Sequence, residues 1–181
     1  MSKIGRKAIQ IGNVKIEVKG NEIHYKGSKN SGVYLLPEEL KATLTDKSLA
    51  LTINEKSRSR DINRVWGLHR ALLANAIKGA DAGFEKQMII DGLGFKAAVA
   101  GSKVTLNLGY SHKIDFDLPA GVTLEVDKTG QKLTFKSSNK ALVGHVCSII
   151  KSFRPPEPYK GTGIRLATET IARKAGKTKS A

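Results

Sequence analysis

The fold is decided by a stretch close to the N-terminus, Val14-Lys15-Ile16-Glu17-Val18-Lys19-Gly20-Asn21-Glu22-Ile23. Apolar and charged residues alternate in it with a period of two, so that one face of an extended chain is apolar and the other meets water. Gly20-Asn21 interrupts the alternation with residues that favour a tight turn. The stretch therefore predicts a β-hairpin with one buried face.

A similar pattern returns in the second half of the chain. Val18–Ile23 is matched 81 residues later by Val99-Ala100-Gly101-Ser102-Lys103-Val104. Further matches at offsets of 82 and 77 are Leu36-Pro37 with Leu118-Pro119, Leu51-Thr52-Ile53 with Leu133-Thr134-Phe135, and Gly67 with Gly144. A nearly constant offset across many positions indicates an internal duplication.

Two stretches have a helical period instead. Apolar residues at helical spacing are Ile62, Val65, Trp66, Leu72, Leu73 and Ile77 in the first, and Leu142, Val146, Ile149, Ile150 and Phe153 in the second. Ser57 or Ser59 is the expected cap of the first helix, and Gly79 its expected end. Other strand-like runs are Val33–Leu36, Leu40–Leu44, Leu49–Ile53, Phe84–Ile90, Phe95–Ala100, Val104–Leu108, Ile114–Leu118, Val122–Val126 and Leu133–Phe135.

The sequence therefore predicts an α+β fold with two similar tandem domains, each a mainly antiparallel β-sheet with one packed α-helix. We place the domains at residues 1–81 and 82–153, followed by an extended basic tail over residues 154–181. Three prolines, at positions 155, 156 and 158, exclude a helix or a central strand at the start of this tail. We expect the free tail to be disordered, because it lacks apolar residues that could hold it against the body.

The chain is strongly basic, with 31 Lys and Arg against 16 Asp and Glu and a net charge of +15 over 181 residues. The charge is uneven: +7 over residues 1–81, +2 over residues 82–150 and +6 over the last 31 residues. Such a charge usually serves to bind a polyanion, and nucleic acid is the most common one.

Other features of the composition favour a soluble, cytoplasmic protein. The longest nearly uncharged run, Ala141–Ile150, is far shorter than the roughly 20 residues that cross a bilayer. Basic residues near the start leave no apolar segment of a signal peptide. The single cysteine, Cys147, forms neither an internal disulfide nor a cysteine-based zinc site, and we expect it to be a packed, inert thiol.

No group of residues has the pattern of a catalytic, metal or cofactor site. The run Gly92-Leu93-Gly94-Phe95-Lys96-Ala97 formally matches a dinucleotide fingerprint, but a strand rather than a helix follows it, so we expect a tight turn or bulge. Asp115 and Asp117 are expected on a solvated strand face. His69 and His145 are expected to be buried or half-buried structural residues of the helices, whereas His112 lies in a predicted turn.

The best candidate for nucleic-acid binding is the segment Arg154-Pro-Pro-Glu-Pro-Tyr-Lys-Gly-Thr-Gly-Ile-Arg165. It offers charge at Arg154, Lys160 and Arg165, and a ring for stacking at Tyr159. Gly161 and Gly163 would let an RNA backbone approach closely. Further cations extend the basic track at Arg173, Lys174, Lys177 and Lys179. A proline-rich linker with solvated charges would have the same composition.

The same segment closely resembles the uL6 family of large-subunit ribosomal proteins. The resemblance is carried by Pro156–Arg165, by Ser2-Lys3-Ile4-Gly5-Arg6-Lys7, by Gly92–Ala97 and by Leu108-Gly109-Tyr110-Ser111-His112. It implies two similar α+β domains and binding to 23S ribosomal RNA, mainly through the second domain and the tail. It also implies a place near the stalk base and the sarcin–ricin loop, beside other large-subunit proteins, where translational GTPases act.

The resemblance also suggests which residues face RNA. Carried over by motif, they are Lys96, Ser111, His112, Lys113, Arg154, Tyr159, Lys160, Gly161, Gly163, Arg165 and the basic tail, with Arg58 and Arg60 as weaker candidates. We expect no catalytic residue, no cofactor, no metal and no small-molecule substrate.

Two other classes of function make different demands on the sequence. An RNA-processing enzyme needs a converging acid, base or metal set. A protein of anionic membrane surfaces needs a basic amphipathic helix with a free apolar face, whereas both predicted helices are needed for cores. The sequence therefore favours a non-catalytic scaffold that binds ribosomal RNA.

Overall fold

The computed structural model describes residues 2–45, 48–54 and 61–176. The chain divides into two compact units, Met1–Phe84 and Glu85–Ala181. The predicted cap at Ser57 or Ser59, the candidates Arg58 and Arg60, and the tail residues Lys177 and Lys179 lie outside the described residues.

The first unit consists of two three-stranded sheets and one helix. Its elements are β1 (Ile9–Gln10), β2 (Lys15–Lys19), β3 (Glu22–Lys26), β4 (Ser31–Leu35), β5 (Leu40–Thr45), β6 (Ser48–Ile53) and α1 (Ile62–Asp81). The sheets have the strand orders β1-β6-β5 and β2-β3-β4. The predicted hairpin is β2–β3, in which Val18 lies opposite Ile23.

The core of the first unit is formed by apolar residues from both sheets and from α1. Ile23, Leu49 and Leu73 are completely buried. Trp66 is anchored in this core, because its indole N–H donates a hydrogen bond of 2.9 Å to the carbonyl of Leu51. The single packed helix agrees with the amphipathic pattern of the sequence.

The prediction that α1 ends at Gly79 is wrong. The helix continues to Asp81, because Gly79 and Ala80 lie on its buried face, where small residues allow close packing. Gly83, two residues beyond the end of the helix, has a φ of +76° that is favourable for glycine, and its N–H donates to the carbonyl of Lys78 at 3.2 Å.

The second unit has a four-stranded sheet, a three-stranded sheet and one helix. Its elements are β7 (Phe84–Asp91), β8 (Lys96–Ala100), β9 (Lys103–Asn107), β10 (Ile114–Asp117), β11 (Thr123–Val126), β12 (Lys132–Ser137), α2 (Lys140–Phe153) and β13 (Gly163–Leu166). The strand orders are β11-β12-β7-β13 and β10-β9-β8. Asn139 caps α2, because its side-chain oxygen accepts hydrogen bonds from the N–H groups of Ala141 and Leu142.

Strand β13 was not predicted. It pairs antiparallel with β7, and Ile164 lies opposite Ile90 and is completely buried in the core of the second unit. The expectation of a disordered tail without apolar anchors is therefore wrong for Gly163–Leu166. Burial of this one isoleucine, together with the backbone pairing, holds the segment against the sheet.

The predicted class is confirmed as α+β, with mostly antiparallel sheets and two helices. The run Gly92–Ala97 is followed by strand β8, as predicted, and not by a helix. His69 is half-buried and its Nδ1 lies 2.9 Å from the hydroxyl of Tyr34, as expected of a structural histidine. The same expectation is wrong for His145, which lies on the exposed face of α2.

Candidate nucleic-acid interface

Arg154, the residue directly after α2, joins the end of the helix to two loops of the second unit. Its guanidinium carbon lies 4.9 Å from the centre of the Tyr110 ring and 5.6 Å from the centre of the Phe95 ring. At these distances a cation is attracted to the face of an aromatic ring. Tyr110 also donates a hydrogen bond of 3.0 Å from its hydroxyl to the carbonyl of Phe153. These contacts therefore restrict the positions of the Arg154 guanidinium and of both rings.

The loop between β9 and β10 carries three of the predicted RNA-facing residues. Ser111, His112 and Lys113 are all exposed in it. The His112 ring lies nearly parallel to the Tyr110 ring, with centroids 6.4 Å apart and an angle of 24° between the planes. Lys96 is exposed at the start of β8. The structure thus places His112 beside the ring that contacts Arg154.

A closed loop follows Arg154 and exposes two further predicted residues. The N–H of Glu157 donates to the carbonyl of Thr162, and the N–H of Gly161 donates to the carbonyl of Glu157, both at 2.9 Å. The Thr162 hydroxyl also donates to the Glu157 carboxylate at 3.2 Å. Tyr159 and Lys160 are exposed at the turn of this loop. Hydrogen bonds within the loop therefore hold both side chains outward.

The two glycines of the loop have reasons within the protein. Gly163 has a φ of +140°, and a Cβ there would lie 2.6 Å from the carbonyl oxygen of Pro155. Gly161 has a φ of +77°, and its Cα faces the Arg173 guanidinium, since a Cβ would lie 3.0 Å from Nη2. Both glycines are buried. Close approach of the chain to itself explains them without any ligand, and their contact with RNA stays a prediction.

The described part of the basic tail folds back on this loop. The N–H of Lys174 donates to the carbonyl of Pro158 at 2.9 Å, and Arg173 packs beside Gly161. Both basic residues are exposed. The structure therefore brings Arg173 and Lys174 close to the exposed turn at Tyr159 and Lys160.

Arg165 is placed differently from the other cations. It lies on β13 opposite Ile89, and its Nη1 is 3.5 Å from the carbonyl oxygen of Glu169. The backbone beside it is tied to the interface, because the N–H of Ile164 donates to the carbonyl of Arg154 at 2.8 Å. Arg165 is partly buried, so less of its charge is presented to a ligand than that of Lys160.

An ion pair fixes the segment after β13. The Nζ of Lys151 on α2 donates to the Glu169 carboxylate at 2.5 Å, and the N–H of Leu166 donates to its other oxygen at 3.3 Å. The Lys151 ammonium is the main reason that the pKa of Glu169 lies below its ordinary value. The Glu169 carboxylate is thus engaged by other groups of the protein itself.

Two further ionisable side chains of the second unit, Asp115 and Cys147, have surroundings typical of structural residues. The Thr105 hydroxyl donates to the Asp115 carboxylate at 2.8 Å and the Lys103 ammonium lies 3.0 Å from it, and together they hold the pKa of Asp115 below its usual value. Asp115 and Asp117 are exposed on β10, as predicted. Cys147 is buried in α2, and burial raises the pKa of its thiol, as expected of an inert side chain.

Two structural features bear on the alternative functions. Over residues 2–45, 48–54 and 61–176, no three His, Cys, Asp or Glu side chains are grouped so that they could hold a metal ion. In the same residues, neither helix combines the length and the apolar character needed to span a bilayer.

Sequence reasoning missed two aromatic residues of the interface. Phe95 and Tyr110 were quoted only within motifs, although both contact the Arg154 guanidinium. For Tyr110 the available signal was an aromatic residue in a predicted turn, close to His112 and Lys113. Arg154 is 44 residues further along the chain than Tyr110, so only the fold reveals their contact.

Comparison with known proteins gives the family. The model of the family "Ribosomal protein L6" matches residues 92–166, which include both loops and the segment after α2. The large ribosomal subunit protein uL6 of Methylacidiphilum infernorum is 44% identical over 179 residues, with 98% of each chain covered. The chain belongs to the uL6 family. The family's proteins from Myxococcus xanthus and Crocosphaera subtropica are 42% and 40% identical, again with 98% of each chain covered.

Membership in the uL6 family confirms several predictions. The chain is a protein of the large ribosomal subunit, and its place is the cytoplasmic ribosome. The family is one of structural ribosomal proteins and not of enzymes. The resemblance seen in the sequence is therefore correct and extends over nearly the whole chain.

Proposed function

We propose that this chain binds 23S ribosomal RNA through its second unit and C-terminal segment, as a non-catalytic scaffold that stabilises RNA tertiary structure. The observation that carries the proposal is the convergence of two loops and the closed turn Glu157–Thr162 around Arg154. Basic and aromatic side chains are exposed there without a nearby reactive group. This combination suits phosphates and base faces.

The proposed contact residues form two neighbouring groups. Lys96, Ser111, His112 and Lys113 belong to the loops of the second unit, together with Arg154 at the end of α2. Tyr159, Lys160, Arg173 and Lys174 belong to the closed turn and the returning tail. Lys177 and Lys179, which lie outside the described residues, are further proposed contacts on the basis of the sequence alone, and Arg165 contributes through its partly exposed guanidinium. Since Gly161 and Gly163 are buried, we assign them to shaping the turn that presents Tyr159 and Lys160.

The proposed place in the ribosome is near the stalk base and the sarcin–ricin loop. Support for it comes from the resemblance to the uL6 family, which extends to the C-terminal signature Pro156–Arg165. Neighbouring large-subunit proteins and 23S ribosomal RNA are the proposed partners. Translational GTPases would act close by, and the chain would contribute no catalytic group to them.

We also propose that the two units arose by internal duplication. Strands β1 to β6 and helix α1 of the first unit follow in the same order as β7 to β12 and α2 of the second. The strand orders correspond as well, β1-β6-β5 with β7-β12-β11 and β2-β3-β4 with β8-β9-β10. These correspondences support domains at about residues 1–81 and 82–153, with the C-terminal extension from residue 154 adding β13 to the second.

Binding of the full-length protein to a 23S fragment tests the proposed function. If about six phosphates are neutralised, log Kd against log salt should have a slope of roughly 4 to 5 in magnitude. Replacing both Lys160 and Lys174 by Ala should weaken binding about tenfold or more and reduce the slope by roughly one to two. The matched control replaces Lys15 and Lys41, exposed on strands of the first unit, and should change neither quantity by more than about twofold.

The same measurement can contradict the proposal. Wild-type protein that binds the ribosomal fragment no better than random duplex RNA, with the same salt slope, would show that the interface has no specific RNA ligand. An equal loss of affinity in the first-unit control would show that net charge, and not this surface, determines binding.

A further inference from the structure

We propose that Tyr110 and His112 form a stacking platform for an unpaired RNA base, so that this part of the interface reads a looped-out nucleotide and not a duplex. The inference rests on the proposed function and specifies the ligand of one part of it. It is carried by the geometry of four side chains, Phe95, Tyr110, His112 and Arg154, which we call the aromatic stack.

The exposed side of the aromatic stack consists of two nearly parallel rings. The planes of Tyr110 and His112 differ by 24° and their centroids are 6.4 Å apart. Tyr110 is 41% exposed, and His112 is exposed as well. Two parallel rings in contact with water offer a flat surface on which a further aromatic ring can lie in the same orientation.

The inner side of the aromatic stack holds these rings in place. The Tyr110 hydroxyl donates to the carbonyl of Phe153, and the Arg154 guanidinium lies 4.9 Å from the ring centre. The same guanidinium lies 5.6 Å from the Phe95 ring, which is half-buried against the core of the second unit. A ring fixed before binding loses little freedom on binding, so the platform is prepared for its ligand.

The chemistry of the platform favours an unpaired base over a helix. In an A-form duplex the base faces are covered by their neighbours, and only edges, phosphates and 2′-hydroxyls are accessible. The faces of Tyr110 and His112 match a base face, which is free only in loops, bulges and ends. Lys113 follows His112 directly and is exposed, so it can bind the phosphate of the stacked nucleotide.

The test uses the full-length protein and the 23S fragment of the preceding binding experiment. His112→Ala removes a ring of the platform, whereas His112→Phe keeps a ring and excludes any contribution of histidine charge. Ser102→Ala is the control, at an exposed residue of the turn between β8 and β9 that is not among the proposed contact residues. His112 and Ser102 are both exposed, and unchanged thermal unfolding of the three variants verifies that each is folded.

The expected result follows from the usual contribution of one stacked base. His112→Ala should weaken binding by about 5- to 100-fold. His112→Phe should remain within about threefold of wild type, and Ser102→Ala within about twofold. In fragments that carry 2-aminopurine at each unpaired position in turn, the wild type and His112→Phe should quench or shift the fluorescence at one position, and His112→Ala should not.

Two results separate the two proposals. If wild-type protein binds the fragment specifically but no unpaired position responds, or if His112→Phe loses as much affinity as His112→Ala, the platform is wrong while the interface stands. If wild-type protein shows no preference for the fragment over random duplex, the proposed function fails and the platform fails with it.

Discussion

Gly163 is the residue at which the C-terminal segment depends most strictly on the absence of a side chain. Its φ of +140° is unfavourable for any other residue, and a Cβ would lie 2.6 Å from the carbonyl oxygen of Pro155. The clash is with backbone, which cannot rotate away as a side chain does. Gly163 is also the first residue of β13, so strain there is transmitted to the pairing with β7.

We predict that Gly163→Ala destabilises the second unit by about 2–3 kcal/mol. The matched control is Gly144→Ala in α2, where a Cβ would meet only Lys86 Nζ, at 3.7 Å. This control should be neutral or stabilising by up to about 1 kcal/mol, because alanine favours a helix over glycine. Urea unfolding followed by far-UV circular dichroism measures both changes. Equal urea midpoints for the two variants would contradict the assigned role of Gly163.

At the scale of elements, β13 is held at its far end by the ion pair between Lys151 and Glu169. The ammonium lowers the pKa of the Glu169 carboxyl in the folded protein, so the ionised form is favoured there. The resulting stability is present above the ordinary value of 4.5 and is lost as the pH falls through the lowered folded value. Both side chains are about one-third exposed, which makes the contribution modest and sensitive to salt.

We predict a difference between wild type and Glu169→Gln that depends on pH. The urea midpoint of wild type should be higher at pH 7, and the difference should shrink toward zero as the pH falls well below 4.5. Replacing Lys151 by Met should remove the pH-dependent stabilisation by Glu169. The stability lost in the double variant should therefore not exceed the sum of the losses in the two single variants. A difference that stays constant between pH 7 and pH 3 would show that the charge of Glu169 is not its cause.

The elements also show what could be predicted from the sequence and why. The hairpin β2–β3 and the helices α1 and α2 follow from apolar residues that repeat with a period of two or 3.6, and such patterns are local. Strand β13 has four residues and three prolines shortly before it, so its only signal is the pair Ile164 and Leu166. Its existence depends on the free edge of β7, which is formed by residues more than 70 positions earlier.

The interface was predictable in composition and not in geometry. The segment Arg154–Arg165 stands out by its charge, proline and glycine content alone. The contacts of Arg154 with Phe95 and Tyr110 are tertiary and have no local pattern. For the same reason the sequence could not show that Gly161 and Gly163 lie close to other parts of the same chain, and their contact with RNA stays a prediction.

At the scale of the whole molecule, the second unit includes part of what the sequence suggested was a separate tail. Ile164 is completely buried with Met88 and Ile90 of β7, so the sheet is incomplete when the chain stops at Phe153. The exposed edge of β7 would then offer unpaired backbone groups to other chains. The same C-terminal segment therefore carries basic charge and contributes to the stability of the second unit.

We predict that a fragment of residues 82–176 unfolds cooperatively, whereas a fragment of residues 82–153 does not. Loss of the Ile164 side chain alone should cost about 2–5 kcal/mol, a large share of the stability of a small domain. Thermal unfolding and sedimentation of the two fragments measure stability and association. Identical, monomeric unfolding of both fragments would show that β13 is dispensable for the second unit.

The position of β13 also has a consequence for synthesis of the chain. The ribosome makes the protein from its N-terminus, and domains fold as they emerge. Because β13 is the last strand among the described residues, the second unit can be completed only after Gly163–Leu166 has been synthesised. Arg154, whose carbonyl accepts a hydrogen bond from Ile164, reaches its final surroundings at the same moment. A nascent chain therefore presents the finished form of the proposed binding surface only after β13 has been made, which would limit premature capture of RNA by a half-made protein.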